Sequence, residues 1–133
     1  MFPHDTPDPA RTLIFAYGTL MRGECRHQYL DNQQFLGEAL TLPKYRLVNC
    51  GTYPGLLDAP ESGQSVYGEV WAVSAACKRV LDEVEGVDDK LYEARTVQLG
   101  SQFAASPVIA YFYLPDASAL PVIDPDWRKF SST

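Results

Sequence analysis

Leu13-Ile14-Phe15-Ala16-Tyr17-Gly18-Thr19-Leu20 decides the reading of this chain. Its first four residues are continuously apolar and bulky, the pattern of a short strand buried on both faces. The strand is expected over residues 12–17 and stops at Gly18. A glycine there opens backbone conformations closed to other residues and lets another group come close. A strand running into a turn of free backbone N–H groups makes an anion cradle, suited to a carboxylate as well as a phosphate.

Outward from that stretch the chain reads mostly as strands. Residues 22–32 are polar, with a helical stretch around His27-Gln28-Tyr29-Leu30. Strands over 35–42 and 44–49 are split by Pro43, which cannot donate to a ladder. Cys50-Gly51-Thr52-Tyr53-Pro54-Gly55 reads as a loop. Residues 66–73 alternate, with Val66, Val70 and Ala72 on one face and Tyr67, Trp71 and Val73 on the other. Apolar groups on both faces predict a central strand. Two further strands are expected over 95–99 and 107–114. The tail from Pro115 is polar and proline-rich, with Trp127 as a docking residue. These readings define one domain over 12–115, a mobile N-terminal arm over 1–11 carrying Pro3, Pro7 and Pro9, and a C-terminal tail over 116–133.

One segment is helical. Ser74 is a good N-cap, and Gly86 stands where a helix stops. Between them Cys77, Val80, Leu81 and Val84 form a core-facing stripe. Three acids follow Leu81 closely. At about 100° per residue Asp82 points well away from the stripe, Glu83 less so, and Glu85 lies at its edge. Periodicity favours Glu85 as the partly buried acid over Asp82, and only slightly over Glu83. Burial and the negative end of the helix dipole both raise the pKa of a carboxylate there. A carboxylate poised nearer neutrality suits proton shuttling.

Composition narrows the function classes. The chain of 133 residues is 46% hydrophobic with a formal charge of −6, which excludes extensive disorder. It also argues against nucleic acid or an anionic membrane as partner, since both need basic surface. No run approaches the ~18 apolar residues of a membrane span, and the arm lacks the apolar centre of a signal peptide. His4 and His27 are too far apart to form a ligand pair, and no Cys-x-x-Cys occurs, so no structural zinc site is expected. Cys25, Cys50 and Cys77 read as reduced thiols of a cytoplasmic protein. Cys25 lies beside Arg22, Arg26 and His27, which would favour its thiolate.

Four elements occur in one order: Tyr17-Gly18-Thr19-Leu20 after a strand, Gly51-Thr52-Tyr53-Pro54-Gly55, Val66-Tyr67-Gly68-Glu69-Val70-Trp71, and Leu81-Asp82-x-x-Glu85-Gly86 followed by Tyr92-x-x-Arg95. Together they resemble the γ-glutamylcyclotransferase-like family, also called AIG2-like or butirosin-maturation-type, over about residues 13–114. The resemblance implies an α+β fold, a small mixed β-sheet barrel with one or two flanking helices. It implies an intramolecular reaction without cofactor or metal. The free α-amine of an N-linked γ-glutamyl group attacks its own γ-carbonyl, releasing 5-oxoproline and an amine. Glu85 falls at the catalytic acid, and Tyr17, Gly18, Thr19 and Leu20 at the glutamyl-binding loop. In many members a basic residue directly follows that loop. Here Met21 intervenes, which puts a site role for Arg22 in doubt.

The residues suit that chemistry. One carboxylate can take the proton of the attacking amine and return it to the leaving amine. The amides of Gly18, Thr19 and Leu20 can hold the substrate's α-carboxylate and support the oxyanion. Tyr53 and Tyr92 are candidate walls with orienting hydroxyls, or core residues. Arg95 balances a local carboxylate or forms a structural ion pair. The partner expected is therefore a small γ-glutamyl substrate: a γ-glutamyl amino acid, another γ-glutamyl amine or an aminoglycoside-type intermediate. The acidic chain favours a cationic leaving group at long range. The competing class is a non-catalytic small-molecule-binding module of the same fold.

Overall fold

The computed structural model describes residues 11–131; all but the last residue of the expected N-terminal arm lies outside them. The described residues form one eight-stranded mixed sheet with two helices, an α+β fold as expected. In chain order the elements are β1 (Thr12–Ala16), β2 (Gln34–Leu40), β3 (Tyr45–Asn49), β4 (Pro54–Asp58), β5 (Tyr67–Val73), α1 (Ala75–Val84), β6 (Tyr92–Val97), β7 (Val108–Tyr113), β8 (Val122–Ile123) and α2 (Trp127–Ser131). The strand order is β2-β5-β1-β7-β4-β3-β8, with β6 also on β7.

The apolar runs become the inner strands. β5 pairs antiparallel with β1 and with β2, so both its edges are used, and its residues 68–73 are buried on both faces. Ile14, Phe15, Leu47, Leu56, Val70 and Phe112 are among the buried core. Gly68 is required by close passage: a Cβ there would lie 2.5 Å from the Ala16 carbonyl and 2.6 Å from the Phe15 ring.

β7 creates the feature that matters for function. β6 occupies one of its edges along its whole length, from Val97↔Val108 to Tyr92↔Tyr113. The other edge is shared by two parallel strands. β1 pairs with its beginning (Leu13↔Val108, Ile14↔Ile109), and β4 with its end (Leu56↔Phe112). The sheet forks between them.

Three expectations are corrected here. Pro54 and Gly55 belong to strand β4, not to a loop; the proline is tolerated because it is the first residue of the strand. Val80 is 43% exposed, so the buried face of α1 is the line of Cys77 and Leu81. The segment 116–133 does more than dock Trp127: β8 pairs with β3, and Trp127 is buried with its indole N–H on Glu24 (3.1 Å).

Glu69 of β5 fastens the C-terminal segment to the rest. Its side chain is 0% exposed and accepts four hydrogen bonds. Oε1 takes the Arg22 amide (3.0 Å) and the Trp71 indole (3.2 Å); Oε2 takes Arg22 Nε (2.9 Å) and Arg128 Nη2 (3.1 Å). Burial raises its pKa, but the Arg22 amide, the two guanidinium groups and the indole outweigh it, so the net shift is downward. A folded-state pKa below the unfolded value gives stability that is complete above the ordinary carboxylate range and lost as the pH falls through the folded pKa. Glu69→Gln is expected to cost about 2 kcal/mol at pH 7, less than a fully buried broken pair because both arginines reach solvent. Urea denaturation should show that gap closing below about pH 4, and a constant gap would remove the charge from the account.

Candidate active site

The fork between β1 and β4 opens into a small cavity. The turn after β1 forms one side, the start of β4 and the Tyr53 and Tyr92 rings another, and the end of α1 a third. All the sequence-predicted residues, Tyr17, Gly18, Thr19, Leu20, Tyr53, Tyr92 and Glu85, line it.

The turn is held from outside. Its hydrogen bonds run from Met21 N to the Gly18 carbonyl (3.1 Å) and from Arg26 N to the Thr19 carbonyl (2.9 Å), while the His27 ring meets the Leu20 carbonyl (3.0 Å). Carbonyls are used; among the described residues the amides of Gly18, Thr19 and Leu20 donate to no backbone acceptor. Three neighbouring N–H groups are left for an anion. Gly18 is not in the left-handed region, contrary to the conformational freedom expected of it. Its reason is contact: a Cβ would lie 2.6 Å from Pro54 Cγ, across the fork.

Glu85 reaches the cavity because of how α1 stops. Ser74 Oγ accepts the Cys77 amide (3.1 Å) at the start. At the end Gly86, with φ +67°, donates to the Glu83 carbonyl (3.1 Å), and Val87 donates to the Asp82 carbonyl (3.0 Å). This is a Schellman cap, which needs a residue without Cβ strain at Gly86. Glu85 is thereby the C-cap residue, one turn beyond Leu81 and two beyond Cys77. It sits at the edge of the buried face and is half-buried, because each step of four residues turns a further ~40° round the helix. Burial pushes its pKa up to about 7, with the Arg26 charge pulling the other way.

Three tyrosine hydroxyls near this carboxylate have their protons engaged. Tyr17 donates to the Tyr111 carbonyl (2.6 Å), on the stretch of β7 between its two partners. Tyr92 donates to the Pro54 carbonyl (2.7 Å), which makes its hydroxyl a satisfied core group and leaves its ring as the wall. Tyr111 donates to Asp82 Oδ1 (2.7 Å), and Lys78 holds the same carboxylate (2.7 and 2.9 Å). Burial first, and the Glu85 charge among further causes, keep all three hydroxyls protonated. Tyr53 packs on Tyr92 with ring centroids 6.3 Å apart.

Sequence reasoning missed Tyr111, Pro54 and Arg26 as lining residues. Asp82, expected to point away from the apolar stripe, lies outside the cavity lining but anchors Tyr111, a contact that periodicity does not report. The apolar run around Tyr111 signals only a buried strand, and Arg26 lies in a polar stretch without periodicity. Arg95 is a structural residue, paired with Asp58 (2.9 Å) and Glu93 (3.1 Å) over the Phe112 ring. Arg22 serves Glu69. Cys25 is exposed and outside the cavity lining. Among the described residues no group of His, Cys, Asp and Glu could hold a metal ion, and no helix is long and apolar enough to cross a membrane.

Glu85, with its near-neutral pKa, and the turn 17–20, whose amides have no backbone acceptor, line one cavity, an arrangement that can exchange a proton beside a bound anion. The family model described as gamma-glutamyl cyclotransferase, AIG2-like, matches residues 14–129, and the chain belongs to that family. A putative gamma-glutamylcyclotransferase of Vibrio cholerae is 47% identical over 75 residues, which is 56% of this chain and 63% of that protein. The gamma-glutamylaminecyclotransferase of Homo sapiens is 31% identical over 132 residues, covering 88% of this chain and 84% of its own. Among solved structures, an AIG2-like protein from Mus musculus superposes with a TM-score of 0.71 at 29% identity, covering 85% of this chain and 86% of its own. The chain spans less than two thirds of the length of the first bacterial and plant relatives it matches, 63% and 57%.

The raised pKa of Glu85 has a consequence for stability. Between pH 4.5 and about 7 the folded state holds this proton more firmly than the unfolded state, so stability falls as pH rises through that window and levels off above it. Glu85→Gln should remove that slope. It should be more stable than the parent above pH 7 by on the order of 1–3 kcal/mol. Thermal unfolding at pH 5 and pH 8 measures this; equal slopes in both proteins would refute the shift.

Proposed function

We propose that this chain is a γ-glutamyl cyclotransferase, releasing 5-oxoproline and a free amine from an N-γ-glutamyl substrate, with Glu85 as general base and then general acid. The observation that carries the reading is the Glu85 carboxylate, of pKa about 7, in one cavity with the amide-bearing turn 17–20. The substrate's α-carboxylate lies on the amides of Gly18, Thr19 and Leu20. Glu85 takes a proton from the α-ammonium, and the freed nitrogen attacks the γ-carbonyl carbon. A new C–N bond closes the five-membered ring, and the oxyanion is supported from the same turn. Glu85 then gives its proton to the departing nitrogen as the old C–N bond breaks, and the ring nitrogen loses its second surplus proton, which the released amine takes up to leave as an ammonium. No water is consumed.

Ring closure is largely a matter of positioning, which the Tyr53 and Tyr92 walls supply. A carboxylate of ordinary pKa would return its proton poorly to an amine; one near neutrality does both steps. That favours catalysis over a binding module of the same fold. The reading fixes the glutamyl half and admits γ-glutamyl amino acids and γ-glutamyl derivatives of larger amines, aminoglycoside intermediates included. We place the protein in the reducing cytoplasm, where Cys25, Cys50 and Cys77 remain unpaired thiols.

The test is 5-oxoproline release by variants. Glu85→Gln keeps the shape and removes the proton chemistry, so the rate should drop by about 10²- to 10⁴-fold. Glu83→Gln, on the exposed side of α1, should stay active. Near-normal rates in Glu85→Gln, or loss in Glu83→Gln, would sink the assignment. An α-linked glutamyl isomer should not react, because its amine cannot close a five-membered ring on the scissile carbonyl.

A further inference from the structure

We infer that Arg26 is the binding residue for a second carboxylate, carried by the amine half of the substrate, and that it selects γ-glutamyl compounds whose leaving amine is acidic over those whose leaving amine is neutral or cationic. The inference rests on the cyclotransferase reading of the cavity. Arg26 and Glu85 are the only charged side chains lining it among the described residues. Other arginines near the site are engaged: Arg22 and Arg128 on Glu69, Arg95 on Asp58 and Glu93. The Arg26 guanidinium has no hydrogen bond or ion pair among the described residues, and its charge acts on Glu85. Glu85 is a poor counter-ion, since burial keeps it largely protonated up to about pH 7.

The arginine is nonetheless fixed in place. Its amide donates to the Thr19 carbonyl (2.9 Å), its carbonyl accepts the Tyr29 amide (3.1 Å), and the neighbouring His27 ring is tied to the Leu20 carbonyl and packed on Trp71. Its backbone therefore rides on the same turn that offers the three amides. Those amides serve the α-carboxylate, which leaves the guanidinium fork for another anion. A guanidinium matches a carboxylate in two parallel hydrogen bonds. A leaving group bearing a carboxylate satisfies it, and a cationic one meets like charge. This local charge opposes the preference for cationic amines expected from the net charge of −6. At a few ångströms the near charge dominates, because salt screens the distant ones.

The experiment compares γ-glutamyl-alanine with γ-glutamyl-alaninamide, which differ only in the charge of the second group. Dissociation constants are measured calorimetrically in the Glu85→Gln background, where turnover is slow, with and without Arg26→Gln. The acid should bind about 10- to 100-fold more tightly than the amide, the size of a charged hydrogen-bonded contact. With Arg26→Gln the ratio should fall to within about threefold, through loss of acid binding alone. The first ratio does not depend on the Arg26 variant folding. A ratio near one with Arg26 present, a ratio unchanged by Arg26→Gln, or equal weakening of both compounds would overturn the inference. Equal weakening would place Arg26 on the shared glutamyl half. 5-Oxoproline release from both compounds by the unsubstituted chain is measured in parallel. If it is absent while the binding ratio holds, the catalytic reading fails and the carboxylate site stands.

Discussion

Two parallel strands share one edge of β7, and the functional architecture follows from that constraint. A strand edge of six residues offers few places for pairing. β1 takes Val108 and Ile109, and β4 takes Phe112. The stretch between cannot pair with either, so its Tyr111 carbonyl is satisfied by the Tyr17 hydroxyl instead. The chain leaving β1 must turn at once, because Pro54 stands across the gap and touches Gly18. The turn and the cavity are thus two results of the same fork. The contact at Gly18 is too close for any side chain, which explains the glycine without a special backbone angle.

Two glutamates show how environment divides one side-chain type into two roles. Glu69 is fully buried with four donors, and its pKa goes down. Glu85 is only partly buried, with no donor among the described residues, and its pKa goes up. Burial alone raises both; the hydrogen-bond donors decide the sign. Glu69 joins the segment after the cradle (Arg22), the strand beneath it (Trp71) and the last helix (Arg128). It holds the support of the site rigid while Glu85 remains free to exchange a proton.

Much of this was legible in the sequence because it depended on local rules. The apolar run 13–16 and its turn, the Ser74 cap, the Gly86 stop and the approach of Glu85 to the buried face all follow from periods and capping chemistry within a dozen residues. Even there, the inclusion of Val80 made the buried stripe wider than it is. With Val80 exposed the buried face narrows to Cys77 and Leu81, and Glu85 keeps its place at the edge of that face. The strand at Pro54 was not legible, since proline and glycine read as a loop unless the partner strand is known.

The sequence by itself determined the family, the α+β class, the helix bearing the acid and the residues of the cradle, because each is encoded in contiguous residues or in an ordered set of short motifs. Tertiary structure alone decided what those groups face. Tyr17 and Tyr111 are 94 positions apart, Tyr92 and Pro54 38, and Arg22 and Glu69 47. No local period reports such pairings. They determine that the tyrosine protons point to carbonyls and to Asp82, that Glu69 is held charged, that Glu85 is kept near neutrality, and that Arg26 is left beside it as an unpaired cation.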